Sequence, residues 1–542
     1  MTTAAATAPC LASQDAFALG CGPLPMAVCP GDAGFKAYNL WRMARLGLPV
    51  PQAVVIGTGH CREFLAGAGE LSDETRQLIA RQLKSLEAGT GLELGSARKP
   101  LVVSVRSGAP VSMPGMMDTV LDVGLNEASL RGLLRCTGNP RLVWDSYRRF
   151  AQSWGPLVAG VDGAVFDELN ARHLQDAGVD SLRELDFEQL MRLARESASL
   201  HEQVCGAPLP ESPIAQVEAA ARAVFASWRS ERARKYRALN GLDDNTGTAV
   251  TIQRMVYGNA GGTSGSGVGF TRHPATGEPE MFLEYLSNAQ GEDVVGGRQA
   301  AGSSAALEAV LPEVHGRLRS IGALLEQEFG DMQEFEFTVQ DGELFLLQTR
   351  SGKRTPWAAL RIAVDQVREG TVRPREALAR IADLDLDSIR RTRVRGDSGR
   401  APIAHALPAS PGVASGGIAL DTPSAIAMRA RGLAPILVRT ETSTEDIAGL
   451  AASEGVLTAK GGRTSHAAVV ARQLDRVCLV GCTDMAVRLD QRRCVIGGRS
   501  FAEGDLISLD GESGAVYAGK VIVTSERPTE WIEQVRSWAN AA

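Results

Sequence analysis

No stretch of this chain approaches the ~18 consecutive apolar residues that a membrane-crossing helix needs, and that excludes a helical membrane span on sequence grounds. A basic excess is missing too. Lys and Arg number 57 against 63 Asp and Glu, for a formal net charge of −6, and no polybasic block offers a footprint for nucleic acid. A nucleotide would need only a local cluster of cations. The nine cysteines, from Cys10 to Cys494, are odd in number and widely spaced. They exclude a dense disulfide framework and point to a reducing compartment. Cys478 and Cys482 have no second ligand pair nearby and read as buried thiols of a strand rather than a metal site. Residues 1–31 lack the basic start and clean apolar core of a signal peptide. Internal repeats and long low-complexity tracts are absent. These absences predict a soluble cytoplasmic protein without nucleic-acid or membrane partners. Its 542 residues suffice for three or four domain-sized units with large buried cores. A homo-oligomer is left open.

What is present centres on Gly461-Gly462-Arg463-Thr464-Ser465-His466-Ala467-Ala468-Val469-Val470-Ala471-Arg472. Val456-Leu457-Thr458 reads as a strand, the two glycines as a turn, and Thr464 or Ser465 as the N-cap of an Ala/Val helix. His466 then stands at the first helical turn. Unpaired N–H groups and the helix dipole favour an anion there and disfavour imidazolium. A neutral imidazole at an anion-binding helix end is suited to accepting a phosphoryl group; a plain cap or surface histidine is the other reading. The run resembles the phosphohistidine signature of the phosphoenolpyruvate-utilising enzymes, most closely the pyruvate phosphate dikinase family. Arg463 departs from that pattern, where the dikinases are expected to carry Met.

The same resemblance runs along most of the chain, roughly residues 31–540. Residues 39–45 read as a helix, Gly47 as its stop, and 52–56 as a strand. The match implies a loop before that helix, with Lys36 in the place of a lysine that contacts ATP phosphates. Residues 101–105 read as a buried strand leading into Arg106-Ser107-Gly108-Ala109. An arginine beside such a loop can clamp phosphate oxygens or pair with a carboxylate. The run 105–126 closely resembles the dikinases, which implies that Arg106 binds the nucleotide. In the matching segment Asp145-Ser146-Tyr147-Arg148-Arg149-Phe150, either arginine is a candidate for the nucleotide. Residues 151–240 read as solvated helices. The alternating strand 248–256 carries Gln253 and resembles the adenine-binding hinge of ATP-grasp enzymes.

Thr263, Ser264, Gly265, Ser266 and Gly267 form a small-residue run that can close its backbone over phosphates; an ordinary turn between strands is the other reading. His273 departs from the family pattern, where Asn is expected. Glu334 and Glu336 share one face of a strand. A hairpin through Asp341-Gly342-Glu343 would set Glu336 roughly opposite Gln348, with Arg350 nearby. Glu336 and Gln348 are therefore candidates to hold Mg²⁺ bridging ATP phosphates; a cross-strand charge pair on a solvent face is the alternative. The family resemblance implies ATP contacts for Glu334, Glu336, Gln348 and Arg350 as well, with Glu334 in place of an expected Asp.

The expected architecture is α/β and α+β multidomain. An ATP-grasp-like nucleotide-binding domain spans 1–352 with a helical insertion at about 151–240. A helical linker (353–400) leads to a swivelling β/α phosphohistidine domain (401–522) and a helical tail (523–542). The resemblance implies a relay in which His466 attacks the β-phosphorus of Mg²⁺-bound ATP and releases AMP. Inorganic phosphate then takes the terminal phosphoryl group as pyrophosphate. Thr464 matches a residue at which some dikinases are regulated; a plain helix cap is the favoured reading. The family's phosphoenolpyruvate/pyruvate-binding barrel has no match in these residues. The leading expectation is thus the ATP half of a dikinase working with a separate barrel protein. A different phosphoryl acceptor, or a non-catalytic nucleotide-binding relative, are the alternatives.

Overall fold

The computed structural model describes residues 15–541 apart from 68, 112, 114–116, 296–301, 303, 396–400, 443–445 and 464. The side chains of Leu239, Val295 and His466 are outside it as well. Expectations that fall on Thr464, the His466 side chain, residues 112 and 114–116 of the nucleotide-type run, 396–399 of the linker and 443–445 therefore lie outside the described residues. Two compact units result: Met1–Ala260 with Phe345–Gln348, and Gly261–Leu344 with Thr349–Ala542. Residues 1–352, expected as one domain, are shared between them. Among the described residues no helix is long and apolar enough to cross a membrane.

The first unit is built on a five-stranded sheet. In spatial order its strands are Ala16–Leu19, Ala53–Ile56, Ala249–Arg254, Val103–Gly108 and Thr119–Val123. Each neighbouring pair for which a register is resolved runs antiparallel. Strand Ala53–Ile56 is an unbroken apolar run buried at every position, whereas Ala249–Arg254 is buried through Gln253 and carries Thr251 and Gln253 inside. Helices Asp73–Thr90, Pro140–Trp154 and Pro213–Ser227 supply Leu83, Phe150 and Phe225 to the core over this sheet. The expected helical stretch 151–240 is largely helix, from Pro140–Trp154 on to Glu231–Leu239.

A four-stranded sheet runs in the order Glu343–Ser351, Gln333–Gln340, Gly265–Phe270, Phe282–Ser287, and residues 345–348 of its first strand are counted with the first unit. Asp341 and Gly342, both at positive φ, turn the first two of these into a hairpin. Further on, an eight-stranded mixed sheet has at its heart four parallel strands: Val413–Ala419, Pro435–Arg439, Gly455–Thr458 and Val477–Val480. Helices Thr422–Ala430, Ile447–Ala452 and His466–Gln473 alternate with them. Ala468 and Ala471 pack on one core cluster of this sheet, and Ile436 and Leu457 on another. Cys478 and Cys482 are fully buried free thiols. Burial pushes them up to about 12 and about 11, which suits thiols packed as small hydrophobes.

The expected linker and tail are joined in space. Helices Pro356–Arg368 and Pro374–Arg380 pack with the C-terminal helix Thr529–Ala541 around Leu360, Val364, Ile532 and Val535. Strand Arg391–Val394 pairs antiparallel with Val523–Glu526, so the chain enters and leaves the eight-stranded part through one ribbon. Glu512 clasps both Arg391 and Arg393 of that ribbon.

Candidate functional site

In the first unit the sequence brings Lys36, Arg106 and Gln253 into one neighbourhood. Lys36 is helical and not in a loop as expected. Pro30 opens helix Pro30–Arg45, and the departure from helical geometry is confined to Gly34 at φ 75°. A Cβ at Gly34 would stand 1.8 Å from the Gly108 carbonyl oxygen, so only glycine admits that approach. Phe35 N–H donates to the Ala109 carbonyl at 2.8 Å. The kink therefore pins the Lys36 turn against the end of the strand that carries Arg106.

Arg106 donates from Nη1 to Gln253 Oε1 at 3.2 Å and to the Leu347 carbonyl at 3.5 Å. Gln253 is 2% exposed, and its amide donates in turn to the Pro51 carbonyl at 3.3 Å. Gln253, expected on an adenine-binding hinge, lies within the sheet. Its main chain pairs with Ala53 on one side and Ser104 on the other, which commits it to the sheet. Its side chain instead aims Arg106. Both Arg148 and Arg149 engage Asp145, at 2.6 and 2.9 Å. Burial alone would raise the Asp145 pKa, but Arg149 and Arg148 hold its carboxyl well below the usual range.

In the second unit Glu334 and Arg350 form an ion pair at 2.5 Å on neighbouring strands. Burial disfavours the Arg350 charge, yet Glu334 and then Glu336 keep its pKa above the ordinary value. Glu334 Oε2 is buried with no hydrogen-bond partner among the described residues. Glu336 is half-buried on the same strand, two residues on, and Gln348 lies on the edge strand Glu343–Ser351. Hard carboxylate and amide oxygens, one of them an orphaned buried acceptor, fit Mg²⁺, which takes one or two carboxylates plus phosphate oxygens. Among the described residues no cluster of three or more His, Cys, Asp or Glu forms an all-protein metal cage.

Three of the five residues expected to close over phosphates lie in a strand. Gly265, Ser266 and Gly267 lie in an interior strand, paired with Val339, Thr338 and Phe337 on one side and Ser287, Leu286 and Tyr285 on the other. Their glycines serve packing. An added Cβ would stand 2.2 Å from Tyr285 Oη at position 265 and 2.4 Å from Phe337 Cζ at position 267. At Gly269 it would stand 2.3 Å from Phe335 Cζ. The rings lie across the strand in space that a side chain would fill. Thr263 and Ser264 remain in the turn before it. There the Thr263 carbonyl accepts from Gly342 N–H at 3.0 Å, and Ser264 Oγ accepts from Asp341 N–H at 2.9 Å.

The histidine turn follows the expected strand–glycine–helix order: strand Gly455–Thr458, Gly461 at φ 112°, and helix His466–Gln473. Ser465 is the N-cap residue by backbone geometry. Its hydroxyl makes no capping bond and is buried without a partner among the described residues. Sequence reasoning missed two residues here. Glu284, 3% exposed on strand Phe282–Ser287, accepts the Arg463 N–H at 2.7 Å. Arg472, 1% exposed, donates from Nη1 to the carbonyls of Arg463 (2.8 Å) and Ala409 (3.0 Å). The legible signal for Glu284 was a lone carboxylate inside the apolar run Phe-Leu-Glu-Tyr-Leu, since a buried carboxylate needs a partner.

A mixed α/β scaffold is joined to a β/α unit whose helix His466–Gln473 begins after a glycine turn. Residues 67–304 match the model of the pyruvate phosphate dikinase AMP/ATP-binding domain, and residues 434–514 that of the mobile domain of PEP-utilising enzymes. The pyruvate, phosphate dikinase of Clostridium symbiosum is 41% identical over 510 residues, covering 94% of this chain and 58% of that protein. That of Rhizobium meliloti is 41% identical with the same coverage. The chloroplastic enzyme of Flaveria pringlei is 42% identical over 509 residues, 94% of this chain and 53% of its own length. The chain is thus similar to pyruvate, phosphate dikinases along 94% of its residues, and it spans a little over half the length of these relatives.

Proposed function

We propose that this chain is an ATP-dependent phosphotransferase that charges His466. The observation that carries this reading is the bond from Arg463 N–H to Glu284, which ties the turn before His466 to the sheet bearing Glu334 and Glu336. A ring nitrogen of neutral His466 attacks the β-phosphorus of ATP. A nitrogen–phosphorus bond forms, the bond from that phosphorus to the α,β-bridging oxygen breaks, and AMP departs with the oxygen. Inorganic phosphate then attacks the terminal phosphorus, leaving phospho-His466 and pyrophosphate. Lys36 and Arg106 offset charge on the phosphates, and Gln253 holds Arg106 in register for it. Thr263 and Ser264 stand as backbone contacts in the turn. Glu336, Gln348 and Glu334 would hold Mg²⁺, which when bound neutralises phosphate charge; Arg350 pairs with Glu334.

The proposed acceptor of the phosphoryl group is pyruvate. A phosphoenolpyruvate/pyruvate-binding barrel protein is the proposed partner for that transfer. Transfer to another small molecule or to a protein is the second reading. The proposed divisions remain 1–352, 353–400, 401–522 and 523–542, with Thr464 as a helix cap.

The test is incubation with Mg²⁺ and ATP labelled at the β-phosphate, with and without inorganic phosphate. The expected products are AMP, phosphate-dependent pyrophosphate and acid-labile label on His466. His466→Ala should bind ATP and take no label. Formation of ADP, or label persisting in His466→Ala, would overturn the assignment.

A further inference from the structure

Two positions where this sequence departs from the dikinase pattern, His273 and Arg463, meet on one ring. Phe282 opens strand Phe282–Ser287, and the His273 ring stands edge-on to it at 5.0 Å. The Arg463 guanidinium lies over the same Phe282 at 5.5 Å. Phe270, the register partner of Phe282, stacks edge-on to it at 6.1 Å and carries the guanidinium of Arg472 at 5.8 Å. One arginine before helix His466–Gln473 and one in its last turn thus cap two phenylalanines of the four-stranded sheet. His273 Nδ1 accepts from the N–H groups of Ala275 (3.2 Å) and Thr276 (3.3 Å), which fixes its ring beside Phe282.

The hydrogen bonding of this contact is incomplete. Arg463 Nε, Arg472 Nε and Nη2, and Ser465 Oγ are buried with no partner among the described residues. Among the described residues neither arginine makes a carboxylate ion pair. A permanent interior satisfies its donors, because an orphaned buried N–H costs free energy comparable to a lost hydrogen bond. The four-stranded sheet has unpartnered buried atoms of its own among the described residues, Glu334 Oε2 and Tyr285 Oη. Such a surface fits one that is hydrated for part of its working life, while the ring faces offer cations a contact that needs no exact register.

We infer that Arg463 and Arg472, seated on Phe282 and Phe270 beside His273, form a releasable latch. It holds the histidine-bearing part on the four-stranded sheet and lets it lift away. Arg463 and Phe282 are its positioning residues. The inference rests on the phosphoryl-carrier reading above, in which His466 must be held during charging and freed afterwards.

The test uses the full chain with Arg463→Met, Phe282→Leu, the double variant and Arg463→Lys. Single-turnover labelling of His466 at saturating Mg²⁺ and ATP should fall about threefold to thirtyfold in each single loss variant, the range a cation–ring contact supports. The ATP concentration for half-maximal rate should stay unchanged. The double variant should be no slower than the slower single one, and Arg463→Lys should recover part of the rate. Additive losses, unchanged rates, or a loss confined to ATP affinity would overturn the latch. If the unaltered chain takes no label, the proposed function fails and hydrogen–deuterium exchange decides the latch alone. Faster exchange in 282–287 and 466–473 of Arg463→Met would uphold it, and identical exchange would overturn it.

Discussion

Arg350 and Glu334 face each other on adjacent strands with 2.5 Å between Nη2 and Oε1, and their side chains are only 21% and 7% exposed. Breaking such a pair by removing one partner strands the other charge, which costs about 3–5 kcal/mol, whereas replacing both can be nearly neutral. Arg350→Met should therefore lower the urea midpoint of the second unit far more than the double variant Arg350→Met/Glu334→Leu. Equal losses in the two would show that the pair is solvated and of little structural weight.

Gln253 aims Arg106, and the two act through one hydrogen bond to a charged donor. Gln253→Leu should cost about 1.5–3 kcal/mol of stability. His466 charging should fall along with it, and Gln253→Glu should be worse for ATP because its carboxylate neutralises the arginine. Normal charging by Gln253→Leu would mean that Arg106 needs no such support.

Gly267→Ala tests the packing account of the glycine run. Its new Cβ would stand 2.4 Å from Phe337 Cζ and 2.6 Å from the Glu284 carbonyl oxygen. Overpacking of this kind costs about 1–3 kcal/mol, read as a lower thermal midpoint without any nucleotide. Phe337→Leu should relieve part of it. A variant of native stability that merely fails to use ATP would restore the phosphate-loop reading.

His273 gives a pH signature. Burial is the main cause that lowers its pKa from 6.5 to about 4; Glu278 opposes the shift, and Arg463, Arg472 and Arg391 add to it. The unfolded chain therefore binds the proton more readily than the folded one between those values. The stability contributed by the neutral ring is complete above pH 6.5 and is lost as pH falls toward 4, by about 3 kcal/mol in all. Changing His273→Asn should flatten unfolding midpoints across that window. An unchanged slope would place the pH response elsewhere.

Local chemistry was legible in the chain itself. The strand at Ala53–Ile56, the strand at Pro435–Arg439, the glycine turn before His466 and the C-terminal helix all appear close to where period and capping residues put them. In each, the decisive interactions lie within a few residues of one another. Lys36 shows where that reach ends. Whether a glycine inside an otherwise helical stretch breaks the helix or only kinks it depends on Gly108, which lies over seventy residues away along the chain.

The glycines at 265, 267 and 269 make the same point. A two-residue glycine period is common to a backbone wrapping phosphate and to a strand passing under aromatic rings, and only Tyr285, Phe337 and Phe335 arriving from neighbouring strands decide between them. Sequence alone determined the family likeness, the candidate histidine and the helix it begins, because these are runs of adjacent residues. Tertiary structure alone decided which groups hold that turn. Glu284, Phe282 and Arg472 act through burial and through partners far away in the chain, and burial is a property that no local pattern contains.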